Sequence, residues 1–431
     1  MSDYSSSSST TSEVEEDMDD QSLIEWYSKK INDQKLKIQG NNQMNSIKFV
    51  EQLSINQLEM YSCKNIQFNI VPNNLIKLTL EDSRIKNLQG IEQMRSLFQL
   101  ELGFNVISDA TNLSFLTNLT NLDLQFNQLM DLSFLTTLIH LIELNLANNK
   151  ISNADTLRSL SNLQILNMGN NFLVDISMLK YLTQLQQLFL QENQINDIEF
   201  LRNIKTLKRL NVSDNQIQDI TVIQELTNLE ELFIKGNNIS DIQVIGKLSQ
   251  LQEFDASSNQ ITNLFSTQQM KQLKHLDLGD NQLVDITNLK YLTNLEFIAL
   301  NDNSVVHINS LEALTKIKGF KLSRNYLVDL TFLEELCRKY PYNYNFQFWD
   351  MQIPTKIQII TSNTMSTIHH TTEKLFNLKQ QLKSHKNKFN KFTQKIQQPV
   401  NQITNNHQHF LNATISLFKK LEHEQSEINS Q

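Results

Sequence analysis

The sequence predicts an α/β solenoid. Short parallel strands form a concave sheet, 3₁₀ turns or short helices form the convex side, and a C-terminal helical tail follows. Three observations carry this expectation. A leucine or isoleucine returns every 22 residues, from Leu75 through Leu97, Leu119 and Leu141 to Leu295 and Ile317, with no insertion or deletion. Self-similarity at a fixed short period marks a chain built by stacking like units. Within each unit the apolar residues first alternate and then recur every third position. Finally, one asparagine stands at the same place in successive units.

The unit reads L-x-x-L-x-L-x-x-N-x-[LI]-x-D-[LI]-x-x-L-x-x-L-x-x, shown cleanly from Leu185 to Ile198. Leu188 and Leu190 flank Phe189, which is strand alternation, so the leucines point inward and Phe189 outward. Ile198, Leu201 and Ile204 follow at intervals of three, which suits a 3₁₀ turn. One unit cannot cover its own apolar stripe, whereas stacked neighbours bury it as a continuous core. The asparagine column runs from Asn105 through Asn127, Asn149, Asn171 and Asn193 to Asn325. Set among inward leucines, each amide must find partners, in the backbone of its own turn and of the next repeat. A second column carries Asp109, Asp131, Asp175, Asp197, Asp219, Asp241, Asp285 and Asp329, with Asn87, Asn153, Asn263 and His307 elsewhere. An acid just before an apolar helical segment satisfies unpaired N–H groups, so this column is read as capping rather than metal binding.

These residues resemble the leucine-rich repeat superfamily over roughly Ile55 to Leu336. The 22-residue variant with Asp before the convex turn is similar to the class that holds bacterial internalins and the nuclear regulatory subunit of protein phosphatase 1. The resemblance implies a horseshoe and a protein partner on its concave face, and says little about which one.

Composition narrows the function. Glycine and proline number 8 and 4, and neither G-x-G-x-x-G nor G-x-x-x-x-G-K-[ST] can be written, so no nucleotide loop of either type is present. H-E-x-x-H, C-x-x-C and G-x-S-x-G are also missing. His369-His370 and His407-Gln408-His409 lack an acid or cysteine to complete a ligand set. No catalytic residue, cofactor or metal is therefore expected, although an unrecognised site in the tail is the one enzymatic alternative. Cys63 and Cys337 stand at opposite ends of the array, beyond reach of each other, which indicates a reducing compartment. The start of the chain is acidic and serine-rich, unlike a signal peptide. A cytoplasmic or nuclear protein is expected.

In chain order, residues 1–20 hold seven acids and no base and read as a disordered acidic, serine-rich tail. Residues 21–74 form an N-terminal cap with two degenerate repeats. A helix over 22–38 is expected from Ile24, Tyr27 and Ile31, and Cys63 stands in the asparagine column. Residues 75–338 are the repeats. They weaken once, where Phe254, Ala256, Thr267 and Met270 replace expected leucines, which predicts a locally soft joint. Residues 339–362, dense in aromatics, form a C-terminal cap. Residues 363–431 carry nine lysines against four glutamates and space Leu375, Leu378, Leu382, His385, Phe389, Phe392 and Ile396 three and four apart. This is a helical hairpin or a dimerising coiled coil, expected to hold a second partner or to self-associate rather than to lie on a membrane.

The array itself is mildly acidic, which argues against nucleic acid. Twelve strands about 4.8 Å apart give an inner surface roughly 55 Å long. Its outward row reads Thr79, Glu101, Asp123, Asn145, Asn167, Phe189, Asn211, Phe233, Asp255, Asp277, Ala299 and Lys321. Phe189 and Phe233 flank Asn211 as anchors, Asp255 and Asp277 add negative charge, and Glu101 and Asp123 do so nearer the N-terminus. These seven are the expected partner-binding residues. Phe104 and Phe126 mark the strand-to-turn edge, as a contact surface or as a stacked filler. In the phosphatase subunit the corresponding row alternates acids and aromatics. Phe189 and Phe233 keep that rhythm, while Asn167 and Asn211 stand where acids would be and no late tryptophan appears. A non-catalytic scaffold is the first reading, and a serine/threonine phosphatase regulatory subunit is the alternative.

Overall fold

A computed structural model describes residues 27–39, 53–63, 66, 68, 74–265, 267–328 and 346–347. The chain divides into two compact units, Met1–Ile261 with Gln268–Leu273, and Thr262–Thr267 with Lys274–Gln431.

The first unit carries β1 (Lys35–Gln39), β2 (Gln57–Tyr61), β3 (Lys77–Glu81), β4 (Gln99–Glu101), β5 (Asn121–Asp123), β6 (Glu143–Asn145), β7 (Ile165–Asn167), β8 (Gln187–Phe189), β9 (Arg209–Asn211), β10 (Glu231–Phe233) and β11 (Glu253–Asp255). They pair in parallel in chain order. The register steps by 22 residues, as in Leu188 opposite Leu210, except that Leu58 stands opposite Leu78. The second unit carries β12 (His275–Asp277), β13 (Phe297–Ala299), β14 (Gly319–Lys321) and β15 (Phe346–Gln347), again parallel.

The period-three stretches form 3₁₀ turns. In Glu199–Asn203, the Leu201 and Ile204 amides donate to the Ile198 and Leu201 carbonyls. Leu185, Leu188, Leu190, Ile195, Ile198, Leu201 and Ile204 are all buried. Each such side chain contributes about 1.5–3 kcal/mol of transfer free energy.

The asparagine column forms a ladder, with one directional difference from expectation. Asn149 Oδ1 accepts from the Leu129 amide at 3.0 Å, and Nδ2 donates to Leu124 O at 2.9 Å, both in the preceding repeat. The same Nδ2 donates to Leu146 O and Ala147 O of its own turn. The bonds therefore reach back rather than forward. Ser83 takes the asparagine place in the repeat of β3, where its hydroxyl accepts from the Cys63 amide and donates to Glu81 O. Cys63 is buried in the same column, its thiol 3.5 Å from Tyr61 O.

The acidic column caps, but from one residue further out than a conventional N-cap. Asp219 Oδ1 accepts from the Thr221 amide at 2.7 Å, and Thr221 opens the turn Thr221–Glu225, whose N-cap is Ile220. Asp109, Asp131, Asp175, Asp197, Asp241 and Asp285 do the same, as does Asn153; Asn87 accepts from the Gln89 amide, ahead of the turn Ile91–Gln93. Asn263 instead donates to Thr262 Oγ1. Asp329 lies outside the described residues.

The expected helix over 22–38 is not supported at its C-terminal end, where Lys35–Gln39 is strand. Leu36 and Ile38 alternate with lysines and pair with Leu58 and Met60, and that cross-strand burial outweighs the helical spacing. In the weak repeat, no 3₁₀ turn forms between β11 and β12 among the described residues, and the boundary of the two units falls there. The acidic N-terminal tail, Cys337, the histidine clusters, residues 363–431 and all of 339–362 but β15 lie outside the described residues.

Candidate functional site

The strands end in a shared local motif that fixes the outward row. Asp123, Asn145, Asn167, Asn211, Asp255 and Asp277 each accept, through Oδ1, the amide two residues on. Asp and Asn bend the chain out of a strand in this way. These side chains thus hold the turn as well as facing outward. The next residue but two is left-handed in every regular repeat, as at Asn148 with φ 57° and Gly236 with φ 64°. Asn, Asp and Gly suit that region. Phe104 and Phe126 do not, yet adopt φ 57° and 53°. Such a conformation costs an ordinary residue about 1–2 kcal/mol. Their rings stack at 4.4 Å and 12° and remain 47% and 43% exposed, so they are stacked and surface-accessible at once.

Phe189 and Phe233 are half-buried and do not meet directly. Arg209, at the start of β9, lies between them, its guanidinium carbon 5.2 Å from the Phe189 ring centre and 5.6 Å from that of Phe233. Arg209 also pairs with Glu231 at 2.8 Å. Cation–π contact of this kind contributes about 0.5–1 kcal/mol at exposed sites and fixes both rings on a polar sheet. Asn211 sits in the same group and is engaged with the Ser213 amide. The sequence reading missed Arg209. Its signal is diagonal: it stands two positions before the outward row, and only the parallel register brings it between the two phenylalanines.

Glu101 and Asp123 belong to a different group. Lys77 Nζ lies 2.9 Å from Glu101, which also accepts from Thr79 and Gln99. Burial alone would raise the Glu101 carboxyl, but those bonds outweigh it and hold it below the usual range. Asp123 goes the other way, raised by burial despite its bonds to Gln125 and Asn145. Glu81 is raised by burial and then by the charges of Glu101 and Asp123. Tyr61 is pushed up to about 12 by burial and by Glu59, Glu81 and Glu101. Asp255, on β11, accepts from the Ser257 hydroxyl and amide. Asp277 lies in the second unit, as do His275, edge-on to Phe297, and Lys321 over the same ring. Thr79 and Ala299, also in the outward row, are fully buried and offer a partner nothing.

Among the described residues no group of three histidine, cysteine or acidic side chains is placed to hold a metal ion. None of the helices there is long and apolar enough to cross a membrane.

The family model described as leucine-rich repeats in two copies matches in overlapping windows from 139–181 to 249–291. Among curated proteins none matches this chain in sequence. Among solved structures, an internalin from Listeria monocytogenes is 30% identical, with 59% of this chain and 82% of that one covered, at a TM-score of 0.54. A leucine-rich repeat protein from Leptospira interrogans is 24% identical, covering 65% and 81%, at 0.56. The repeat ectodomain of a plant membrane receptor kinase from Arabidopsis thaliana, in complex with Casparian strip integrity factor 2, is 21% identical, covering 73% and 40%, at 0.59. The last two show the fold alone. The repeats and the internalin neighbour support a protein-binding scaffold. With its 22-residue register, asparagine ladder and 3₁₀ turns, the chain belongs to the leucine-rich repeat family.

Proposed function

We propose that this chain is a non-catalytic scaffold whose outward sheet face grips a protein partner, with Phe189 and Phe233 as anchors. One observation supports this most. Two half-buried phenylalanines are held by Arg209 on a face that is otherwise polar. Rigid aromatic and arginine side chains are what concentrate binding energy at interfaces. Asn211 and Asp255 supply polar contacts beside them, and the basic segment 363–431 recruits a second partner or a second copy. The setting is cytoplasmic or nuclear, on the reading of the two widely separated cysteines.

Affinity capture with the full chain, read by mass spectrometry, tests the proposal. A partner retained by wild type is lost from the variant Phe189→Ala plus Phe233→Ala. Undiminished capture by that variant removes this face from the account. Regulation of a serine/threonine phosphatase is the second reading, favoured by the aromatic rhythm of Phe189 and Phe233 and opposed by Asn167 and Asn211 in place of acids. Recovery of a phosphatase catalytic subunit in the same capture, sensitive to the same variant, selects it.

A further inference from the structure

The strands β3 to β6 carry a surface unlike that around Phe189 and Phe233. One rim, just before the strands, holds Ile76, Phe98 and Ile142, which are 38%, 51% and 38% exposed. The opposite rim, just after them, holds the stacked pair Phe104 and Phe126. Between the rims the strands present Glu81, Glu101, Asp123 and Glu143, with Lys77 as the one cation on those four strands. Lys77 is already shared between Glu101 and Glu59, at 2.9 and 3.9 Å. The floor therefore stays negative; burial raises the Glu81 and Asp123 carboxyls, and the neighbouring acids add to it.

Exposed aromatics held in a backbone region that disfavours them ask for a cover. The charge decides what covers them. A purely apolar partner would strip water from carboxylates and give nothing back. An acidic one would be repelled. A segment bearing both apolar and cationic side chains satisfies both rims and the floor, and an arginine guanidinium can stack on the aromatic pair while meeting Glu101 or Asp123.

We propose that the β3–β6 face docks a lysine- or arginine-bearing amphipathic segment of another protein. This rests on the sheet face being the partner-binding face and adds the chemistry of one part of it.

The test is fluorescence anisotropy with the full chain and a labelled peptide of alternating arginine and leucine, with a glutamate–leucine peptide of equal length as control. Wild type binds the basic peptide and not the acidic one. The variant Phe104→Asn plus Phe126→Asn weakens binding roughly tenfold or more, while its melting temperature does not fall, because asparagine accepts the left-handed backbone. The variant Glu101→Gln plus Asp123→Asn also weakens binding and flattens its dependence on salt. Equal binding of both peptides, or unchanged affinity in the asparagine variant, overturns the proposal. So does self-association of the chain in sedimentation that the asparagine variant abolishes, because the occupant is then a second copy. The capture experiment with Phe189 and Phe233 uses other residues and another ligand, so either account can fail alone.

Discussion

The inside of each repeat and its outward row differ in how much they vary. The inside is nearly the same from repeat to repeat: Leu144, Leu146 and Asn149 match Leu166, Met168 and Asn171, all buried. The outward row varies far more, from Glu101 to Asn167 to Phe189 to Lys321. The difference is physical. An inward side chain meets the same neighbours in each repeat, so one solution serves throughout. An outward side chain meets lateral neighbours and, where it is Asp or Asn, the amide two residues on; where it is neither, as at Phe189 and Phe233, its identity is free to answer to something outside the chain. The αL position before each ladder asparagine shows the same contrast on a smaller scale. Asparagine, aspartate and glycine there follow from the backbone, whereas Phe104 and Phe126 run against it.

Adjacent residues give the largest test of this contrast. Leu188→Ala opens a cavity in the stack and lowers stability by about 2–5 kcal/mol. Phe189→Ala, one residue on, removes only a partly exposed ring and costs far less. Urea denaturation of both variants checks the pair, and comparable losses would erase the distinction between inside and outside.

Next in size is the ladder. Asn149→Ala leaves the Leu129 amide without its partner and takes one of two donors from the Leu124 and Leu146 carbonyls, which keep Asn127 and Asn171. A loss of at least about 1–3 kcal/mol is expected, read in the same denaturation experiment. Removing a cap costs less. Asp219→Ala gives up the bond to the Thr221 amide, worth about 0.5–2 kcal/mol, and amide exchange over Thr221–Glu225 should quicken locally. An unaltered exchange rate there would mean that water replaces the carboxylate fully.

The smallest effect is with pH, where the capping acids and two carboxyls of the sheet face, Glu81 and Asp123, oppose each other, while Glu101 beside them acts with the caps. Asp109, Asp219 and Asp285 are held below the usual range by bonds from the following threonine, and Asp175 by bonds from Ser177. Their contribution is complete above the ordinary carboxylate pKa and is lost as pH falls through their depressed values. Glu81 and Asp123 are raised. On acidification they take up protons in the folded state before the unfolded one, which adds stability. The melting temperature should therefore rise slightly as pH drops toward the ordinary carboxylate range and fall below it. In Glu81→Gln the melting temperature at neutral pH rises and the rise on acidification shrinks. A monotonic fall from neutral pH in wild type would contradict the assignment for the sheet face.

Much of the fold was legible because its causes repeat. Alternation at Leu188 and Leu190, triplet spacing at Ile198, Leu201 and Ile204, and the asparagine register each state a local rule that the stack then satisfies. What escaped was not local. Arg209 lies 20 residues from Phe189 and 24 from Phe233, a diagonal visible only once the strands are in register. At Leu36 and Ile38 the sequence offered both the end of a helix and the start of a degenerate repeat, and burial against β2 decided for the strand. The left-handed column was readable from Asn148, Asn170, Asp214 and Gly236, but Phe104, Phe126, Glu192, Ser258 and Arg324 in the same column masked the rule. The weak repeat was flagged by Thr267 and Met270, whereas the division of the chain into two units there required contacts that no single repeat encodes.

The central claim is that partners engage the variable sheet face and not the turns. Site-specific photo-cross-linking tests it most directly, with benzoylphenylalanine placed at Gln187 on β8 or at Arg202 in the exposed turn Glu199–Asn203. The account expects a discrete protein adduct from Gln187 and none from Arg202. An adduct from Arg202 with none from Gln187 would contradict it.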